Sequence, residues 1–373
     1  MLRRELLKRT LCMAGASILP VAFGTTSSEA VPESRVIIDE SLSWLSSGDA
    51  ARLLRRIKSA GFNVLVPFVW HGMGATWDST LAPRIAKYPG GDPLARLCTA
   101  AKEEGIEVHP LFAVALRQRE FLSQFVRLGT PDQMFEMHLP DFRDFIVSVI
   151  MEVVERYPIQ GINLDYIRAG GIGTSLVGVS DYQTRTGRDL LEDRSLGTDT
   201  AMKSIVSWQT AAVGDVVRKV AAQAKRVRPG IVMSMCGNPA VPELALQGQD
   251  AIGWTNADLI DVVYNMDYRQ NPDFEVLKHV RDQLSHPEAL VQMVGNYESA
   301  NRLLNKTAVT SRAPKLVVQL VQESRDFSLG NGICVYLYSM LSDAQVATLR
   351  NTVFARTARP QWQKRATIAR AGI

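Results

Sequence analysis

The feature that most constrains this chain is an alternation of short β-rich runs with longer helical patterns, which continues from residue 35 almost to the C-terminus. This order indicates parallel strands that are joined by crossover helices. The predicted strands cover residues 35–39, 62–70, 106–114, 159–167, 231–236, 259–266, 290–294 and 332–338. The predicted helices cover residues 49–58, 93–105, 141–156, 201–226, 274–284 and 313–323.

Eight strands with interleaved helices over about 320 residues predict a closed (β/α)8 barrel, a TIM barrel, as a single domain with loop insertions. A doubly wound open sheet is the second fold that this alternation allows. It would need a glycine-rich phosphate loop after the first strand, and Asp39-Glu40-Ser41-Leu42 is not such a loop. The pattern therefore favours the barrel.

The first thirty residues have the layout of an export signal. Arg3 and Arg4 precede a weakly apolar stretch at residues 11–23, and Ser28-Glu29-Ala30 suits a signal peptidase. We therefore expect a twin-arginine-type signal peptide at residues 1–30 and a mature protein that is periplasmic or secreted. A basic amphipathic helix is the alternative.

Charge is distributed unevenly along the chain. The net charge of +4 combines +2 in residues 1–30, −3 in residues 31–354 and +5 in residues 355–373. The predicted barrel, residues 31–354, is thus slightly acidic, and the basic residues lie in the signal and in a C-terminal tail. This distribution gives no support to nucleic-acid binding. No apolar run approaches the length of a transmembrane helix.

The cysteines predict neither a disulfide framework nor a metal centre. Cys98, Cys236 and Cys334 remain after the signal, an odd set in which each residue lies in an apolar run. We expect them to be buried free thiols. No Cys/His spacing suits structural zinc, and we expect no metal and no cofactor.

In a TIM barrel the active site lies at the C-terminal ends of the strands. Asp165 and Asp267 are the candidate catalytic residues at those ends. The candidate substrate contacts are Glu40, Trp70, His71, His109, Asn163, Arg168, Tyr268, Asn296, Glu298 and Tyr336.

Strand four is the most informative of these segments. Asn163 and Asp165 point to the same side of the strand, and Gly161 before them leaves room inside a barrel. A carboxylate that points into the mouth of a barrel is costly unless a ligand, a partner or water meets it. Arg168 can keep Asp165 ionised or bind substrate hydroxyls. The structural alternative is an Asp–Arg pair that only closes the top of the barrel.

The run Gly161-Ile162-Asn163-Leu164-Asp165-Tyr166-Ile167-Arg168 resembles the strand-four signature of the family-ten-like glycosyl hydrolases, a group of bacterial envelope TIM barrels. Residues 105–110, 250–268 and 332–336 are similar to their strands three, six and eight. The resemblance implies a glycoside hydrolase that acts on an envelope or extracellular polysaccharide. The chain departs from the family at residues 169–171, where Ala-Gly-Gly replaces Tyr-Pro, and at Asn265, which replaces a proline.

Glycoside hydrolysis uses two carboxyl groups, one protonated and one ionised. We expect Asp165 to be the ionised group and Asp267 to be the acid, with Glu298 and Glu40 as reserves. In a substrate that contains amino sugars, an N-acetyl group can replace the nucleophile. The candidate sugar-stacking platforms are Trp70, Trp77, Trp254, Tyr166, Tyr268 and Tyr297.

Three other classes of protein are alternatives to a glycoside hydrolase. A carbohydrate-binding barrel without catalysis is the main alternative, because no second carboxylate is unambiguous. Metal-dependent isomerase or aldolase chemistry would need several converging His and carboxylate ligands. A Ser-His-Asp hydrolase would need a G-x-S-x-G elbow, which the sequence lacks. The oligomeric state is not specified by the sequence.

Overall fold

The computed structural model describes residues 30–46, 48–85, 91–118, 120–301, 307–329 and 332–362. The predicted export signal, apart from Ala30, and residues 363–373 of the predicted tail lie outside the described residues.

Eight parallel strands form a closed barrel. They are β1 (Arg35–Asp39), β2 (Val64–Trp70), β3 (in two pieces, Glu107–Val108 and Leu111–Ala113), β4 (Gly161–Asp165), β5 (Val232–Gly237), β6 (Val262–Asn265), β7 (Leu290–Gly295) and β8 (Ile333–Tyr336). Each strand pairs with the next, and β8 pairs with β1 through Ile333 opposite Arg35. The predicted TIM barrel is confirmed, since an open sheet would leave β1 and β8 apart.

A helix follows each strand and packs around the barrel. The helices are α1 (Ala50–Ala60), α2 (Pro93–Glu104), α3 (Pro140–Arg156), α4 (Asp199–Val227), α5 (Ala251–Asn256), α6 (Phe274–Arg281), α7 (Pro314–Phe327) and α8 (Asp343–Asn351). Within the described ranges, no helix combines the length and apolarity needed to cross a membrane.

The ends of α1 and α2 follow from local sequence. Asp49 and Asp92 each accept hydrogen bonds from backbone N–H groups of the first turn, and Pro93 begins α2 where no N–H is needed. Gly61 and Gly105 end the two helices in left-handed conformations, with φ of 99° and 66°. These boundaries are therefore readable from the sequence.

The apolar core has two main parts. A large cluster lies between the strands and the helices, and a second one fills the inside of the barrel with alternate strand residues such as Val36, Ile38 and Val66. Cys98, Cys236 and Cys334 are all buried and free, as predicted. The barrel is thus a packed core, open to chemistry only at its ends.

The loop after β4 is the largest insertion that the structure describes. It carries two extra helices, Leu176–Thr186 and Leu190–Leu196, which pack on α4 through Tyr182 and Trp208. Gly170 in this loop has φ 79°, and a Cβ there would lie 2.3 Å from the side chain of Met134. The local backbone therefore requires glycine, which accounts for the departure from the family's Tyr-Pro.

The described residues after 354, where the predicted barrel ends, also pack against the rest of the protein. Ala358–Arg359 pairs with Val31–Pro32 as a short parallel ladder. Trp362 then donates a hydrogen bond from Nε1 to Glu107 Oε2 over 2.8 Å. Glu107 begins β3, so this segment lies at the N-terminal end of the barrel, which we call the lower end. The C-terminal end is called the mouth.

Candidate active site

Two carboxylates reach the mouth from β1 and β4. On β1, Val36 and Ile38 belong to the barrel interior, so Glu40 continues the inward-facing series at the rim. On β4, Asp165 is the last strand residue and follows the buried Asn163 on the same face. Glu40 is exposed to solvent and Asp165 is partly exposed, so a ligand at the mouth can meet both.

The backbone after Asp165 is held in an uncommon conformation. Tyr166 has φ 45°, in the left-handed region that non-glycine residues rarely adopt. Its N–H donates to Asp165 Oδ1 over 2.7 Å, and the Arg168 guanidinium lies 4.5 Å from the centre of its ring. Such strain costs roughly 1–3 kcal/mol and is found mainly at functional sites. Here it directs the Asp165 carboxylate.

Both carboxyl groups have a raised pKa. Burial raises the pKa of Asp165 to about 6, against the Tyr166 N–H and Arg168, which lower it. Burial, and then the charges of Asp165 and Asp39, raise the pKa of Glu40 to about 7. Glu40 remains accessible to water, but the concave mouth removes bulk solvent from most directions around it. At neutral pH, therefore, one proton is readily held by this pair.

Three tyrosines form a cluster beside the carboxylates. The rings of Tyr268 and Tyr336 stack with their centres 4.8 Å apart, and Tyr297 lies 6.1 and 5.9 Å from them. Burial raises the pKa of Tyr268, and the charges of Asp165 and Glu40 raise it further, so the cluster lies within electrostatic reach of both. Aromatic faces of this kind bind the apolar faces of sugar rings.

Arg312 supports the tyrosine cluster, and the sequence analysis did not identify it. Its guanidinium is buried and donates to the carbonyl oxygens of Gly295 and Tyr268. Arg312 follows a hairpin strand, Thr307–Ser311, and belongs to no barrel strand. No periodic pattern therefore links it to the mouth, and only the tertiary structure shows the contact.

Asp267 has a partner of its own. Its carboxylate accepts two hydrogen bonds from the Arg269 guanidinium, over 2.8 and 2.7 Å. Burial acts to raise its pKa, but Arg269 lowers the pKa below the usual range. The charges that shift the pKa values of Asp165 and Glu40 do not include it. Asp267 is thus held ionised, which is the opposite of what a general acid needs.

Two expected substrate contacts lie away from the mouth. His109 is fully buried at the lower end, where its ring centre is 5.2 Å from that of Trp362. Trp70 is fully buried and packs against Trp77 and Phe121 on the outside of the barrel. The pairing of β2 with β3 has a register irregularity between residues 68 and 70, which disturbs the alternation that the sequence implied.

Asn163 and Asn296 are used inside the structure. Asn163 donates from Nδ2 to Ser234 Oγ over 2.9 Å and lies in the barrel interior. Asn296 donates from Nδ2 to Gln345 Oε1 over 3.1 Å and accepts from the Leu337 N–H, which ties β7 and β8 to α8. Both side chains are buried and hydrogen-bonded within the fold, so neither is free to bind a sugar.

His71 and Glu298 are placed differently from each other. His71 follows β2, is buried, and packs on Phe68 with ring centres 5.0 Å apart. Among the described residues, neither of its ring nitrogens has a hydrogen-bond partner. Glu298 is partly exposed, accepts from Gln270 Nε2 over 3.0 Å and lies 3.9 Å from Arg312 Nε. His71 thus keeps unused polar atoms, whereas Glu298 is engaged.

Over the residues that the structure describes, no group of three or more His, Cys, Asp or Glu side chains is arranged to hold a metal ion.

A closed (β/α)8 barrel with carboxylates and tyrosines at its mouth defines the class of glycoside-hydrolase-type barrels. The chain belongs to the glycosyl hydrolase-like 10 family, whose model matches residues 37–289. The family expected from the strand-four motif is therefore confirmed.

Individual relatives are distant. The glycosyl hydrolase DigH of Escherichia coli (strain K12) is 23% identical over 186 residues, which is 44% of this chain and 39% of that protein. The alignment thus spans about two-fifths of the relative's length.

Solved structures share the fold. The glycoside hydrolase domain of PgaB (BpsB) from Bordetella bronchiseptica superposes with a TM-score of 0.62 at 11% identity, over 85% of this chain and 98% of that one. A beta-galactosidase from the psychrophilic Marinomonas ef1 gives 0.60 at 9% identity, over 87% of this chain and 59% of that one. At these identities the likeness is one of fold.

Proposed function

We propose that this protein hydrolyses glycosidic bonds of a polysaccharide at the mouth of the barrel, with Asp165 as the carboxylate that works in its ionised form. The main support is the setting of Asp165: a partly exposed carboxylate at the end of β4, directed by the strained Tyr166 and flanked by Arg168. A closed structural ion pair would leave no carboxylate accessible at the mouth. This one is accessible, and it is costly to the fold unless a substrate uses it.

The neighbouring side chains suit a sugar polymer. The tyrosine cluster of Tyr268, Tyr297 and Tyr336 offers faces for stacking, and its hydroxyl groups can bind sugar hydroxyls. Arg168 is partly exposed beside Asp165 and has donors for ring oxygens or hydroxyls. His71 adds ring nitrogens that have no partner among the described residues.

The proposed substrate is an envelope or extracellular polysaccharide that contains amino sugars. The export signal expected at residues 1–30 would bring the protein to such a polymer in the periplasm or outside the cell. Family membership supports a polysaccharide substrate. A carbohydrate-binding barrel without catalysis is the competing function.

The test is hydrolysis of deproteinised peptidoglycan glycan strands and of glucosamine-containing oligomers, with product detection by mass spectrometry. We expect Asp165→Asn to lower turnover by on the order of a thousandfold while binding of the glycan is kept, because the amide preserves shape but cannot act as a base or nucleophile. Asp267→Asn is the matched control, since its carboxylate is paired with Arg269, and turnover should stay within about threefold of wild type.

Two results would contradict this proposal. If wild-type protein binds these glycans and cleaves none of them, the binding-barrel function replaces it. If Asp165→Asn cleaves as fast as wild type while Asp267→Asn does not, the reacting carboxylate has been misassigned.

A further inference from the structure

We propose that Glu40, at the end of β1, is the second catalytic carboxyl group and donates the proton to the leaving glycosidic oxygen. This inference rests on the proposed glycoside hydrolysis and adds the acid to it. It gives that role to a residue other than Asp267, and it follows from the position, surroundings and availability of the Glu40 side chain.

The position of Glu40 is set by β1 and by the turn that follows. The interior series Val36 and Ile38 leads to Glu40 at the rim. Next to it, the buried Asp39 carboxylate accepts a hydrogen bond from the Trp44 N–H over 3.0 Å, and Leu42 turns the chain with φ 56°. Glu40 is therefore presented on a tightly held turn, which suits a group that must meet a substrate in one geometry.

The surroundings of Glu40 include the other site residues. Its charge acts on Tyr166, Tyr268 and Tyr297, and the charge of Asp165 acts on Glu40 itself. Glu40 directly follows β1 and Asp165 ends β4, so the two carboxyl groups reach the mouth from different strands and lie within electrostatic reach of each other. Two carboxyl groups at one mouth are what glycoside hydrolysis requires.

The influences on the protonation of Glu40 act in one direction. Burial, Asp165 and Asp39 all raise its pKa, which lies near 7. Asp165 differs, because the Tyr166 N–H and Arg168 partly offset its burial. When the pair holds one proton, that proton therefore favours Glu40, and Asp165 is the ionised partner.

Three other carboxylates close to the ends of barrel strands are engaged. Asp267 is paired with Arg269, Asp39 accepts from the Trp44 backbone, and Glu298 accepts from Gln270. A general acid needs a side chain that can approach the leaving oxygen and can carry a proton at working pH. Unlike these three, Glu40 combines solvent access with a raised pKa.

The chemical step balances with these two residues. Glu40 gives its proton to the glycosidic oxygen as the bond from that oxygen to the anomeric carbon breaks, and the leaving sugar departs as an alcohol. Either Asp165 bonds to the anomeric carbon, or it removes a proton from a water molecule that attacks this carbon. In the first case, ionised Glu40 then takes a proton from the water that hydrolyses the ester. In the second case, Asp165 ends protonated and Glu40 ends ionised, and proton exchange with solvent restores the starting state of both.

Activated substrates separate the roles of the two residues. We expect Glu40→Gln to lower kcat/KM for glycan strands by on the order of a hundredfold, and to leave kcat/KM for dinitrophenyl glycosides of N-acetylglucosamine oligomers within about threefold, since that leaving group needs no proton. Asp165→Asn should lose both activities. The fall in wild-type rate above about pH 7 should disappear in Glu40→Gln on the glycan.

If Glu40→Gln cleaves glycan strands at the wild-type rate with an unchanged pH profile, the inference is overturned while the role of Asp165 stands. If kcat/KM falls equally for both kinds of substrate, Glu40 is not the acid. Failure of the wild-type protein on every substrate would instead overturn the proposed function.

Titration of carbon-13-labelled glutamate by NMR tests Glu40 without turnover. We expect one glutamate signal with a pKa near 7, absent in Glu40→Gln and shifted to lower pH in Asp165→Asn. A Glu40 that titrates near about 4.3, the ordinary value, would overturn the inference regardless of activity.

Discussion

Both ends of the barrel carry carboxylates, but their surroundings shift the pKa values of these carboxylates in opposite directions. At the lower end, Glu107 bonds to His109 and Trp362 over 3.2 and 2.8 Å. Burial acts to raise the pKa of Glu107, but these partners lower it below the usual range. At the mouth, Asp165 and Glu40 have few donors and each has a raised pKa. Glu107 at the lower end is thus held by hydrogen bonds, whereas Asp165 and Glu40 at the mouth have few hydrogen-bond partners.

Packing differs between the two ends as well. A Cβ added to Gly161 would lie 2.5 Å from the His109 ring, so the lower end has no spare volume. At the mouth, Asp165, Arg168 and Tyr336 are partly exposed and Glu40 is exposed. We therefore expect substitutions at the mouth to change activity and substitutions at the lower end to change stability.

The largest of the effects that test this contrast is expected at the tyrosine cluster. Tyr336→Ala should raise KM for glycan strands about tenfold and change kcat less, because it removes a stacking face worth about 1–1.5 kcal/mol. Tyr336→Phe keeps that face and should stay within about twofold. Steady-state kinetics measures both variants. A KM unchanged in Tyr336→Ala would remove the cluster from the sugar site.

An intermediate effect is expected at the lower end. Trp362→Ala should lower the melting temperature by about 4 °C, since the loss of its packing on His109 and its hydrogen bond costs about 2 kcal/mol. Trp362→Phe should lose only the hydrogen bond and about half as much. Calorimetry and kinetics would be run together on these variants. A large fall in kcat without unfolding would show that the two ends are coupled.

The smallest effect is a change of about 1–3 °C in melting temperature when a carboxylate is replaced by its amide. The sign of this change should differ between the lower end and the mouth. Glu107 has a lowered pKa, so its contribution is present above its unfolded pKa and is lost as pH falls through its folded pKa. Glu107→Gln should therefore be less stable than wild type at pH 7, and the difference should shrink in acid.

The corresponding change at the mouth is Asp165→Asn. Asp165 has a raised pKa of about 6, so wild type loses stability as pH rises from its unfolded pKa to that value. The variant should gain stability relative to wild type over this range and keep the gain at pH 8. Calorimetric scans from pH 3 to 8 measure both differences. The same sign at both ends would remove the electrostatic contrast.

The position of a site residue could be predicted where strand alternation alone sets the direction of its side chain. Asp165 lies at the mouth because strand alternation and the preceding Gly161 place it there, and the strand-four motif identified the family. Trp70 and His109 could not be placed in this way. A register irregularity turns Trp70 outward, whereas His109 keeps the inward direction of Leu111 but lies near the start of β3, at the lower end.

The sequence by itself determined the alternating elements, the closed barrel and the carboxylate that ends β4. These depend on hydrophobic period, on capping residues and on strand order, all of which are local. Only the tertiary structure decided the partners of the remaining charges. Trp362 binds Glu107 from near the other end of the chain, and Asp165 raises the pKa of Glu40 from across the barrel. The energy of a buried charge depends on what surrounds it in space, and residues far apart in sequence supply most of those surroundings.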